Sequence, residues 1–118
     1  MSTLEALPIT PVGACCTPVT KDVLSLADAE AMAVAFKALS DPTRLRLLSI
    51  VAASDGDEAC VCDLTEPIGL SQPTVSHHLK ILMDAGYLTR SKRGTWAYYK
   101  LVPGSLDRVS ALLATAAA

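Results

Sequence analysis

The sequence predicts a small, mainly α-helical α+β domain with a single β-hairpin, and three observations carry that prediction. Apolar residues recur at spacings of three and four through most of the chain, and the period changes to two only after Tyr87. Hydrophobic residues make up 51% of the chain but aromatic ones only 4%, so the core is built from Leu, Val, Ile and Ala on helices. A length of 118 residues fits one domain and leaves no room for a second, catalytic one.

The elements follow in order. Residues 1–20 contain Pro8, Pro11, Gly13 and Pro18 with little periodicity, so residues 1–24 are expected to form a flexible arm ahead of a domain over 25–118. Ser25 is placed to cap a helix reaching about Leu39, with Met32, Phe36 and Leu39 at helical spacing. Asp41-Pro42 opens a second helix, ending near Ala53, with Leu45, Leu48 and Val51 on its apolar face and Arg44 on another. An acidic turn over Ser54–Glu58 precedes a short helix with Val61, Leu64 and Ile68 that stops at Gly69. Ser71 caps the next helix, Pro73 is tolerated in its first turn, and Val75, Leu79 and Leu82 form its buried stripe up to Gly86. A hairpin follows, with strands at Tyr87–Arg90 and Thr95–Leu101 and a turn at Ser91-Lys92-Arg93-Gly94. Pro103 begins a last helix with Leu106, Val109, Leu112 and Leu113 on one side, a candidate dimer surface.

The formal net charge is −2, but its distribution is uneven. Residues 1–70 hold four basic against ten acidic side chains, whereas residues 71–118 hold six basic against two acidic. The second half therefore suits a polyanion, although an ordinary solvated surface also fits charge alone. No apolar run has the roughly 18 residues a membrane span needs, and the first residues lack the pattern of a signal peptide. A cytoplasmic protein without a membrane partner is expected.

A helix, a tight turn and a Ser-capped polar helix, followed by a basic hairpin, make a winged helix-turn-helix. The second helix of such a motif enters the major groove, and Ser71, Gln72, Thr74, Ser76, His77, His78 and Lys80 offer the polar and basic groups for it. Gln bonds adenine bidentately, Ser and Thr serve bases or phosphates, and the helix N-terminus attracts a phosphate. Lys92 and Arg93 at the hairpin tip are then expected to meet the DNA backbone or minor groove. His77 and His78 lack the nucleophile or carboxylate neighbours of a catalytic site, so no enzyme is expected.

The four cysteines come as Cys15-Cys16 and Cys60-Val61-Cys62. Adjacent cysteines bridge only with strain, and a reducing compartment keeps thiols free, so two tight pairs read as ligands for a soft ion. Small buried apolar cysteines are the ordinary alternative at 60 and 62, and a bystander tail at 15 and 16. On an ideal α-helix Cys60 and Cys62 point about 200° apart, so joint capture of one ion is expected to reshape the helix start. Because that helix leads into the polar one, capture and DNA binding are coupled.

Phe36-Lys37-Ala38-Leu39-Ser40-Asp41-Pro42-Thr43-Arg44-Leu45-Arg46, Ser71-Gln72-Pro73-Thr74-Val75-Ser76-His77-His78-Leu79 and Gly94-Thr95-Trp96-Ala97-Tyr98-Tyr99 closely resemble the ArsR/SmtB family of metal-sensing repressors. The resemblance covers roughly residues 25–115. It implies a homodimer, with the first and last helices at its interface, that represses a metal or metalloid resistance operon on double-stranded operator DNA. Glu58-Ala59-Cys60-Val61-Cys62-Asp63-Leu64 resembles the sensing motif of the arsenic and cadmium/lead branches, where cysteines bind the inducer directly. Trivalent arsenic or antimony requires three thiolates. Cys60 and Cys62 supply two, and Cys15 or Cys16 the remainder, within one subunit or across the dimer. The last helix has Asp107 but no His, which departs from the zinc-sensing branch. The implied inducer is therefore As(III) or Sb(III), with four-thiolate Cd(II)/Pb(II) sensing or thiol-based redox sensing as alternatives.

Overall fold

The computed structural model describes residues 17–114, as five α-helices and one three-stranded sheet. Helix α1 spans Leu26–Leu39 and α2 spans Pro42–Ala53. Strand β1 spans Glu58–Cys60 and runs directly into α3, Val61–Ile68. Helix α4 covers Gln72–Asp84, strands β2 and β3 cover Leu88–Arg93 and Trp96–Leu101, and α5 covers Ser105–Ala111.

Local chemistry sets the boundaries. The side chains of Ser25, Asp41 and Ser71 accept the backbone N–H of Asp28, Arg44 and Thr74, each satisfying a donor that the first helical turn leaves open. Pro42 and Pro73 lie in the first turns of α2 and α4, where a missing N–H costs nothing. Gly69 ends α3 at φ +77°, in the left-handed region that favours glycine.

Three sequence expectations are corrected. The last helix begins at Ser105 and not at Pro103, because Gly104 adopts a left-handed conformation at its N-cap; Val109 and Leu112 face inward while Leu106 and Leu113 face out. The hairpin turn is Gly94-Thr95, since Arg93 pairs with Trp96. Gly94 at φ +65° suits the first position of such a two-residue turn, and Ser91, Lys92 and Arg93 become strand residues. On α2 the buried stripe is Leu47, Leu48 and Val51, while Leu45 is exposed. Helical spacing places Arg44 one turn ahead on that same stripe, the reverse of the arrangement expected for Leu45 and Arg44.

The sheet has the order β1-β3-β2, antiparallel throughout. Strand β1 was not foreseen; it pairs Glu58 with Lys100, Ala59 with Tyr99 and Cys60 with Tyr98. Its consequence is that the segment ahead of α3 is one edge of the same sheet that forms the wing. The core gathers Leu47, Leu48 and Val51 of α2, Leu64 of α3, and Val75, Leu79 and Leu82 of α4. Tyr87, fully buried at the base of the wing, donates from its hydroxyl to Ala35 O of α1 at 2.6 Å. Ahead of α1, Val19 N donates to Leu112 O at 2.8 Å and Thr20 Oγ1 to Ala114 O at 2.8 Å, so the described end of the N-terminal arm lies against the residues that follow α5.

Candidate nucleic-acid interface and thiol site

Helices α3 and α4 make the helix-turn-helix, and the polar face of α4 is the part open to a partner. Gln72, Thr74 and His77 are exposed, and Ser76 and His78 are half-buried. Ser71 is engaged locally: its hydroxyl accepts the N–H of Thr74 and lies 2.9 Å from Thr74 Oγ1. Lys80 donates to Asp84 at 2.9 Å along the helix surface. Such an exposed pair is weak and is readily exchanged for another anion.

A cleft of about 290 Å³ separates α4 from the wing, lined among others by Val61, Gln72, Ser76, Arg90, Lys92 and Trp96. Arg90 and Lys92 alternate on β2 and so share the sheet face that looks toward α4. Arg93 lies on the other face. It donates to Glu58 Oε2 at 2.6 Å and its guanidinium carbon stands 4.4 Å from the centre of the Tyr98 ring. The basic pair lining the cleft beside α4 is therefore Arg90 and Lys92, while Lys92 and Arg93, expected at the hairpin tip, are the last two residues of β2. Arg90 was legible in principle, because once Lys92 is assigned to a strand and not a turn, residue 90 shares its face.

The cysteine segment differs from the helical picture. Cys60 ends β1 in an extended conformation and acts as the N-cap of α3, its sulfur accepting the N–H of Cys62 at 3.2 Å. Cys62 sits in the first turn, so the opposed directions of an ideal helix do not apply. The two Cα atoms are 5.2 Å apart and the sulfurs converge into a disulfide, where free thiols were expected. Cys60 is 2% exposed while Cys62 faces solvent, so the pair opens outward at the N-terminus of α3. Cys15 and Cys16 lie outside the described residues. Among the described residues no group of three metal-binding side chains gathers, so any third thiolate has to come from beyond them.

A second polar cluster connects the helices. Arg44 Nε donates to Ala38 O at 2.6 Å, Nη2 to Lys37 O at 3.4 Å and Nη1 to His78 Nδ1 at 3.2 Å. Asp41 Oδ2 accepts the Arg44 N–H at 3.1 Å, and this bond, opposed by partial burial and helped by the nearby Arg44 charge, holds its carboxyl below the ordinary 3.8. Nothing in the sequence pattern announced this cluster, since Arg44 and His78 are 34 residues apart.

No described helix is long and apolar enough to cross a membrane. Residues 41–90 match the family model described as "Bacterial regulatory protein, arsR family", a span that runs from the cap of α2 into the wing. The chain is 42% identical over 80 residues to the arsenic resistance transcriptional regulator ArsR1 of Pseudomonas putida, covering 68% of this chain and 61% of that protein. It thus spans about three-fifths of that relative's length. The crystal structure of the AntR antimony-specific transcriptional repressor superposes with a TM-score of 0.64 at 34% identity, over 82% of this chain and 89% of that one. A homodimeric winged helix-turn-helix DNA-binding domain from Mycobacterium bovis, solved by NMR, gives 0.63 at 26% identity over 78% and 82%. With the helix-turn-helix, the wing and these likenesses together, the chain belongs to the arsR family of bacterial regulatory proteins.

Proposed function

We propose that the chain is a transcriptional repressor that binds double-stranded operator DNA as a homodimer and dissociates when Cys60 and Cys62, with a thiolate from the Cys15–Cys16 pair, capture As(III) or Sb(III). The observation that carries this reading is the convergence of the Cys60 and Cys62 sulfurs at the junction of β1 and α3. With Cα atoms 5.2 Å apart at the start of α3, the two cysteines in reduced form supply two soft sulfur ligands from neighbouring positions. Capture acts on both DNA-facing parts, because α3 packs on the recognition helix and β1 is hydrogen-bonded to the wing. Support for arsenic or antimony comes from the names of the relatives and from a site with no imidazole among its proposed ligands. In the DNA complex Gln72, Ser76, His77 and His78 read the major groove while Arg90 and Lys92 hold phosphates on its flank.

Cys60→Ser and Cys62→Ser test the site separately from the fold. Each variant is expected to bind operator with near wild-type affinity and to lose release by arsenite; normal release by both variants contradicts the assignment. Titration of reduced protein with arsenite, counting protected thiols, distinguishes three sulfurs per ion from the four that Cd(II) or Pb(II) sensing requires.

The pairing of Cys60 with Cys62 favours one second reading, a redox-sensing repressor. In it, peroxide takes two electrons and two protons from the thiols and leaves as water. Release of DNA by arsenite under strict reduction argues against that reading, and release by peroxide alone supports it.

A further inference from the structure

We infer that Arg44 is a positioning residue for DNA binding, fixing His78 in the tautomer protonated on Nε2 so that the recognition helix presents a ring N–H to an acceptor on the duplex. The inference rests on the DNA-binding reading above. A guanidinium carries only donors and does not lose its proton in a protein. Its Nη1 stands 3.2 Å from His78 Nδ1, so that nitrogen accepts and carries no hydrogen. The neutral ring then bears its proton on Nε2. Asp41 Oδ2 is the one group of opposite demand, since it favours a proton on Nδ1, but it lies at 3.9 Å and already accepts the Arg44 N–H.

Arg44 is itself held in place. Its other two nitrogens donate to two carbonyls in the last turn of α1, that of Lys37, which also accepts the Ser40 N–H at 3.1 Å, and that of Ala38. The guanidinium is thus fixed by α1 at two points, and its third arm meets α4. No described residue bonds His78 Nε2. The His78 side chain keeps 16% of its surface exposed beside Arg44 and Asp41. His78 lies one turn after Thr74 on the same side of α4, and a partner lying along that side finds a donor of fixed direction there.

Two measurements test this. In the first, ¹⁵N NMR of the free reduced protein reads the protonation of each ring nitrogen of His78. The expected spectrum has a bare Nδ1 and a protonated Nε2, and Arg44→Lys replaces it with a mixture, because an ammonium cannot span three acceptors. In the second, duplex binding is compared among His78 variants that keep Arg44. Asn places its amide near Nδ1 and lacks the outer donor, whereas Gln places an N–H₂ near Nε2. His78→Asn is expected to weaken binding about tenfold, the order of one hydrogen bond to a charged acceptor, and His78→Gln to recover most of it. Arg44→Lys keeps the charge, so it retains affinity if Arg44 merely touches phosphate and loses about tenfold if it positions His78. A proton on Nδ1 in the wild type, or a Gln variant no better than the Asn variant, overturns the inference while leaving the DNA-binding reading intact. Wild-type protein that binds no duplex removes that reading and the role in binding with it.

Discussion

Single residues illustrate what pattern alone conveys and what it omits. Ser25, Asp41 and Ser71 were identifiable as caps because the chemistry of a cap is local. Tyr87 was legible only as the start of a strand, yet its hydroxyl joins the wing base to α1. Burial raises its pKa from 10.0 to about 12. Below pH 10 the hydroxyl is protonated in both folded and unfolded chains and contributes no pH dependence. Between about 10 and 12 the unfolded chain loses the proton first, so stability falls as pH rises through that window. A Tyr87→Phe variant leaves Ala35 O without its donor and is expected to lose about 1–2 kcal/mol at neutral pH, together with this alkaline component. Urea unfolding from pH 8 upward reads both. Asp41 acts in the opposite direction: its lowered pKa contributes stability that is present above 3.8 and fades as pH falls through the folded value. Asp41→Asn keeps a capping oxygen and is expected to flatten the acid limb of the same curve.

At the scale of elements, helices were the easier part to read and the sheet the harder. The stripe Val75, Leu79, Leu82 of α4 follows from spacing, and all three residues are fully buried. Leu79→Ala is accordingly expected to cost about 2–5 kcal/mol in chemical denaturation. Strand β1 escaped notice because it is three residues long and its partner β3 lies some forty residues on, with no local period to mark it. That omission hid how the thiol segment joins the wing, and it placed Cys60 on a helix instead of at its cap. The turn was misplaced by two residues because a basic run looks like a loop while Gly94-Thr95 is enough to close the hairpin. The corrected register makes a specific prediction for the wing. Arg90→Gln and Lys92→Gln are each expected to lower the slope of log affinity against log salt by about one. Arg93→Gln is expected to change it less, because that guanidinium faces Glu58 and Tyr98. Equal effects at 90 and 93 contradict the assignment of the faces.

For the whole molecule, the uneven charge of the two halves and the order of the elements were enough to recognise a winged helix-turn-helix, whereas assembly leaves no local pattern in the sequence beyond exposed apolar side chains. Val23 is 99% exposed, Leu26 76% and Leu113 60%, close in sequence to the contacts of Val19 and Thr20 with Leu112 and Ala114. Such apolar side chains call for cover, which a two-fold partner would supply in the proposed homodimer. Sedimentation of Leu26→Glu together with Leu113→Glu is expected to shift a dimer to monomers and to weaken operator binding in parallel. The most direct test of the central claim is fluorescence anisotropy of reduced protein on duplex DNA from its own promoter, titrated with arsenite, antimonite, Cd(II) and Pb(II). The account predicts tight binding that arsenite or antimonite abolishes at near-stoichiometric concentrations. DNA binding that none of the four ions relieves contradicts it, because a dimer that reads DNA without yielding to a thiol-bound ion is not the sensor proposed.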